Sequence, residues 1–187
     1  MPNLIGCNYY TLLYKIRKKI NTKTSLLLYD ALIGWHLCYC NIVWGYGYVS
    51  AYILQKRTLR LCLQLPKLTS SNKVFKKSSK LSIYDINKAQ TAMFAHYVIN
   101  RTVPTVLHTF FTLVSSIHNY GSRRKLQLLT GHSKSNFRKF SLAIRGPSLW
   151  NSSPDFLKEI PVYKSFKNAY IYYLKDFYIN NSLHENP

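Results

Sequence analysis

Acidic residues are scarce in this sequence: six Asp and Glu stand against 26 Lys and Arg in 187 residues. The acids are Asp30, Asp85, Asp155, Glu159, Asp176 and Glu185, and no two are adjacent. Two-metal nucleotidyl or hydrolytic chemistry needs clustered carboxylates that hold two cations about 4 Å apart, and this inventory supplies no such cluster. Asp155 and Glu159 lie one helical turn apart at an expected helix start, where acids complement the macrodipole. Gly-x-x-x-x-Gly-Lys, Gly-x-Ser-x-Gly and His-Glu-x-x-His are all missing. His118 has no carboxylate or thiol near it in sequence to form a catalytic set. No enzymatic activity is expected, and no cofactor.

Cysteine is also sparse, at Cys7, Cys38, Cys40 and Cys62. Cys38-Tyr39-Cys40 does not have zinc spacing, and no second Cys or His pair completes a four-ligand set, so no metal site is expected. The N-terminal residues lack the charged start, apolar run and small-residue cleavage site of a secretory signal. Reduced thiols in a nuclear or cytoplasmic protein follow as the expectation. Formal charge is missing altogether from residues 31–54, flanked by basic runs at 15–19 and 56–57. That length would cross a bilayer. His36, Asn41, Ser50, three glycines and several tyrosines dilute its hydrophobicity, so a membrane span is an alternative rather than the main reading.

What is present in excess is positive charge. The net charge is +20, in a chain that is 47% hydrophobic and long enough to bury a core. Such an excess favours a polyanionic partner, nucleic acid first and an anionic membrane surface second. Sixteen tyrosines and nine phenylalanines could stack on bases, although most belong in a core.

Residues 8–20 read as a helix with Tyr9, Leu12, Leu13 and Ile16 on one face, closed by the basic run Lys15, Arg17, Lys18 and Lys19. Cations there suit a helix C-terminus and can also meet phosphates. After the polar break at 21–24 a second helix is expected over 25–39, apolar nearly all round and therefore buried. A third, over 49–64, carries Leu54, Thr58, Leu61, Cys62 and Leu65 in one stripe and Lys56, Arg57, Arg60 and Gln64 on the other side. That cationic face reads equally as a solvated surface or as one that tracks a phosphate backbone. Pro66 and a Ser/Lys-rich stretch mark residues 67–80 as a basic linker. A fourth helix over 82–100 places His96 on a packed face. A short helix from 104 to 112 follows, then a β-hairpin pairing 125–129 with 137–145, and a last helix over 163–179 with Phe166, Tyr170, Tyr173, Leu174 and Phe177 inward.

Residues 140–154 form the most distinctive stretch, Phe-Ser-Leu-Ala-Ile-Arg-Gly-Pro-Ser-Leu-Trp-Asn-Ser-Ser-Pro. Phe140, Leu142 and Ile144 alternate with Ser141, Ala143 and Arg145, as in a half-buried strand. Gly146, free to take a positive φ, and Pro147, which donates no ladder hydrogen bond, would stop it. Leu149 and Trp150 then act as an apolar plug before a turn into a helix at Asp155. The stretch resembles a segment near the C-terminus of reverse transcriptases from non-LTR (LINE-type, jockey-like) retrotransposons, of the form Phe-Ser-x-x-x-Arg-Gly-Pro-x-x-Trp-Asn-x-x-Pro. Further pieces match in the same order: residues 26–33 with 39–45, 54–60, 117–123 and 163–168. The resemblance implies a position after the polymerase palm, in the thumb and the region beyond it. The paired Asp-Asp of that polymerase is absent here. The family usually has proline where Trp35 stands, so a straighter second helix is expected.

Together these readings predict a mainly α fold with a small β-hairpin (α+β). A helical thumb-like subdomain would span 1–66, a basic linker 67–80, and an α+β subdomain 81–187. The expected function is that of a non-catalytic C-terminal fragment of a LINE-type reverse transcriptase that binds nucleic-acid backbone without sequence specificity. Lys15, Arg17, Lys18, Lys19, Lys56, Arg57 and Arg60 would hold phosphates, with Arg123, Arg124 and Lys125 as a second patch. The alternatives are a membrane-associated protein spanning through residues 31–54 and a protein-interaction module with an exposed aromatic patch.

Overall fold

The computed structural model describes residues 2–45, 49–117 and 126–180. Its path is helical: α1 (Pro2–Ile16), α2 (Thr22–Tyr29), a π turn (Asp30–Gly34), α3 (Trp35–Cys38), α4 (Asn41–Trp44), α5 (Val49–Cys62), α6 (Ser71–Ser78) and α7 (Ile83–Ile99). Single 3-10 turns at Thr105–Leu107 and Val114–Ser116 lead on to α8 (Asn136–Lys139), α9 (Leu142–Ser152), α10 (Asp155–Lys158) and α11 (Tyr163–Asn180). The chain divides into two units, one from the start to Asn87 together with the residues from Tyr173 on, the other Lys88–Tyr172.

Local chemistry sets the helix ends. The Asn21 side chain accepts from the Thr24 N–H at 2.7 Å and starts α2. Ser82 and Asp85 bond reciprocally ahead of α7, Ser82 Oγ donating to Asp85 Oδ2 at 2.6 Å and the Asp85 N–H to Ser82 Oγ at 3.2 Å. At the end of α5, Gln64 takes a left-handed φ of 53° and the Leu65 N–H reaches back to the Arg60 carbonyl at 2.9 Å. Arg101 does the same for α7 at φ 54°, with Thr102 bonding to Tyr97. Between α2 and α3 the Trp35 N–H donates to the Asp30 carbonyl and closes the π turn. A proline at position 35 could not donate that bond. The second helix is therefore not the regular α-helix expected; one wide turn interrupts it.

The first unit packs Leu13, Tyr29, Ile33, Leu37, Leu59, Leu63, Val74, Phe75 and Ile83 into one core. Gln55 sits at its centre, fully buried, and Nε2 donates to the Tyr29 hydroxyl at 3.1 Å and the Leu81 carbonyl at 2.9 Å. Its Oε1 accepts from the Ile83 N–H at 2.9 Å, one of the donors a helix start leaves without a partner. The buried stripe of α5 is Ala51, Gln55, Thr58, Leu59 and Cys62. It is turned from the expected one, leaving Leu54 and Leu61 half-exposed. Residues 67–80, expected as a linker, carry α6 and bury Val74 and Phe75 in this core. Apolar spacing inside that short Ser/Lys-rich segment outweighs its composition.

The second unit corrects the fold class. Among the described residues there is no strand, and the expected hairpin and α+β subdomain do not form. Residues 137–145 enter α8 and α9 instead. Gly146, Pro147, Trp150 and Ser153 are buried at helical spacing, and burying that face outweighs the short alternation before it. Residues 127–129 pair elsewhere, in an isolated antiparallel bridge between Leu113 and Leu128. The Val114 N–H meets the Gln127 carbonyl at 2.9 Å and the Leu129 N–H the Thr112 carbonyl at 2.8 Å. On its other side this segment is held by side chains of α9. Trp150 Nε1 donates to the Leu126 carbonyl at 2.9 Å. The Asn151 amide both accepts from the Leu128 N–H and donates to the Leu128 carbonyl, each at 2.8 Å.

Gly146, free to take a positive φ, does not use that freedom. A Cβ there would lie 2.4 Å from Phe111 Cζ, so the position is reserved by the approach of a ring. His96 is buried with its ring stacked on Phe166 at 4.4 Å and Nε2 at 2.9 Å from the Ile160 carbonyl. Along α11, Phe166, Tyr170 and Leu174 are buried, Tyr173 is exposed, and Phe177 lies outside the residues whose side chains are described.

Candidate nucleic-acid interface

The helical repeat of α1 puts Tyr10, Thr11 and Tyr14 along one side, and the turn that follows it adds Arg17 and Lys18. That side faces Leu54, Arg57, Arg60 and Leu61 of α5 and the turn carrying Gln64, Leu65 and Lys67. Between them lies an open groove of about 1110 Å³. Leu54, Leu61 and Leu65 give it an apolar component, the tyrosines an aromatic one, and five cations border it; no acid is among the lining residues. Two of the acids are engaged elsewhere: Asp30 pairs with Lys80 and Asp155 with Lys158.

The cations are not equivalent. Arg17 lies over the Tyr14 ring, with its guanidinium carbon 3.6 Å from the ring centroid. Its Nη1 is buried without a hydrogen-bond partner. Arg60 donates to the Thr69 carbonyl from Nε at 3.1 Å and Nη2 at 2.7 Å, which ties down the turn after α5. Arg57 and Lys18 are exposed. The arrangement can meet several phosphates, because Arg57 and Arg60 stand on α5 and Arg17, Lys18 and Lys67 on the turns that follow α1 and α5.

Of the residues expected to bind phosphate, Arg17, Lys18, Arg57 and Arg60 line this groove. Lys15 and Lys19 are exposed outside its lining. Lys56 is not part of it: its amine lies 4.2 Å from the Tyr52 ring centroid, and Tyr52 stacks on Phe75. Arg123, Arg124 and Lys125 lie outside the described residues, as does His118. Sequence reasoning missed Tyr10, Tyr14 and Lys67. The spacing of Tyr10, Tyr14 and Arg17 was available as a signal for the first two. Lys67 reads as linker charge in the sequence; the turn after α5 folds back and brings it to the groove.

Two of the thiols are held towards their protonated form. Burial pushes the Cys62 thiol up to about 11, and Asp30 adds to the effect; its Sγ lies 3.5 Å from the Ser25 carbonyl. Burial also raises Cys38. Among the described residues no three His, Cys, Asp or Glu side chains converge where a metal ion could sit. No helix among them is long and apolar enough to cross a membrane. The surface does carry exposed apolar side chains, with Leu27, Trp35, Tyr39 and Val43 between 55% and 81% accessible. No protein-family model, curated protein or solved structure matches the chain.

Proposed function

We propose that this chain is a non-catalytic thumb and post-thumb piece of a LINE-type reverse transcriptase, and that it binds nucleic-acid backbone without sequence specificity. The observation that carries the binding reading is the groove between α1 and α5, where Arg17, Lys18, Arg57, Arg60 and Lys67 meet with no acid among them. Cations scattered over 50 residues of sequence are gathered there on one surface, which is what backbone contact requires. The family reading is supported by the residues of the resembling segment. That segment runs Phe-Ser-Leu-Ala-Ile-Arg-Gly-Pro-Ser-Leu-Trp-Asn-Ser-Ser-Pro.

The test is a salt series of binding to a short duplex and a single strand, for the wild type and for a combined Arg17→Ala, Lys18→Ala, Arg57→Ala variant. Arg60 is left intact because it holds Thr69, and Lys56 because it lies off the groove. The expected result is a steep loss of affinity with salt and a slope shallower by about one per phosphate contact removed. An unchanged slope would reduce the binding to the diffuse field of a +20 chain and sink the groove.

A second reading, a protein-interaction module, is favoured by the exposed Trp35, Tyr39 and Val43. A photo-crosslinking residue at position 35 should then trap a protein in nuclease-treated lysate, while one at the exposed position 164 should not. Equal or absent labelling at both would count against it.

A further inference from the structure

We infer that the groove between α1 and α5 takes a single-stranded polynucleotide in preference to a duplex, with a base lying on Tyr14. The inference rests on the backbone-binding reading and narrows it to one class of nucleic acid. A groove built for duplex backbone alone needs only cations and polar donors, because a duplex presents its phosphates and sugars and keeps its base faces stacked on one another. Here Leu54, Leu61 and Leu65 line the trough and Tyr10 and Tyr14 flank it, with the cations around them. An apolar and aromatic trough bordered by positive charge matches a chain that is anionic along its backbone and apolar on its bases. Only a strand whose bases are unpaired can present both.

Arg17 and Tyr14 form the working pair. Tyr14 is 51% exposed, with Arg17 over its ring. Arg17 Nη1 is a buried donor with no acceptor, an arrangement that disfavours the guanidinium's present position. When a phosphate arrives, the guanidinium gains by turning out to meet it, and the ring face it leaves is free for a base. The aromatic contact then adds affinity that does not depend on salt, beside phosphate contacts that do.

The experiment measures fluorescence anisotropy of labelled oligo(dT), oligo(rU) and a mixed-sequence duplex of equal length, with the full chain. Wild type, Tyr14→Ala, Tyr14→Phe and the Arg17→Ala, Lys18→Ala, Arg57→Ala variant are compared, each checked for helical content by circular dichroism. Tighter binding of either single strand than of the duplex is expected. Tyr14→Ala should lose about tenfold on the single strand with an unchanged salt slope, and Tyr14→Phe should retain the affinity. Equal or tighter binding of the duplex would overturn the inference, as would an unaffected Tyr14→Ala variant. So would displacement of oligo(dT) by polyglutamate as effectively, charge for charge, as by unlabelled oligo(dT), since that would fit an acidic protein equally well. These failures leave the cation-dependent salt slope standing. Loss of that dependence is the separate failure of the backbone-binding reading.

Discussion

The carboxamide of Asn151 stands in for a neighbouring strand: it accepts from the Leu128 N–H and donates to the Leu128 carbonyl, both at 2.8 Å. The paired polar groups of one buried residue are satisfied by one side chain on a helix. Asn151→Leu keeps the approximate volume and removes both bonds. It leaves a buried N–H and a buried carbonyl without partners, at a cost of about 2–4 kcal/mol. Urea unfolding followed by circular dichroism measures this, and an unchanged midpoint would mean the pairing contributes nothing.

Gly146 gives a prediction that separates steric from conformational need. Gly146→Ala would push a methyl to 2.4 Å from Phe111 Cζ, and overpacking of this kind costs about 1–3 kcal/mol. In a Phe111→Leu background the same change should cost clearly less, because the obstructing ring is gone. If the glycine served a backbone conformation instead, both backgrounds would suffer alike.

Gln55 joins three segments of the first unit through Tyr29, Leu81 and Ile83. Gln55→Met fills similar space and leaves the buried Ile83 N–H and the partly buried Leu81 carbonyl without this partner. About 2–4 kcal/mol of stability should be lost. Amide hydrogen exchange at Ile83 should rise; protection there equal to wild type would contradict the arrangement.

Alkaline pH should weaken the first unit. The Cys62 thiol is raised from an ordinary 9.0 to about 11 by burial. Its contribution to stability is therefore complete below about pH 9 and lost as pH rises towards 11, because the unfolded chain releases that proton first. Tyr29, also raised by burial, acts in the same direction at higher pH. Chemical denaturation at pH 8, 9.5 and 10.5 should show a falling midpoint. Cys62→Ala should flatten the fall between 9 and 11, and identical pH profiles would refute the assignment.

Where the sequence and the fold agree, long periodic patterns carry the agreement. Residues 163–179 repeat apolar positions over several turns, and α11 (Tyr163–Asn180) follows. Trp150 was legible as a buried plug and Asp155 as a helix start, since a large aromatic and a Pro-Asp pair have few other uses. The alternation at 140–145 was too short to separate two periods, and the deciding burial of Gly146, Pro147 and Trp150 lay just beyond it. Gln55 was invisible because a polar residue on an amphipathic helix reads as surface; only Tyr29, Leu81 and Ile83 give it a reason to be inside. The groove was half legible. Arg17, Lys18, Arg57 and Arg60 stand in basic runs, but which cations share a wall depends on how α1 meets α5. Lys56 shows the difference, one residue from Arg57 and directed to another aromatic surface.

Ordinary strand pairing is written in the backbone, which every residue other than proline supplies in full, so most substitutions leave it standing. The clasp on residues 126–128 is written in two side chains, Trp150 and Asn151. A single codon change at 151 deletes the half that holds Leu128, and one at 150 the half that holds Leu126. Such a contact has little genetic redundancy, and drift in the sequence would register there early.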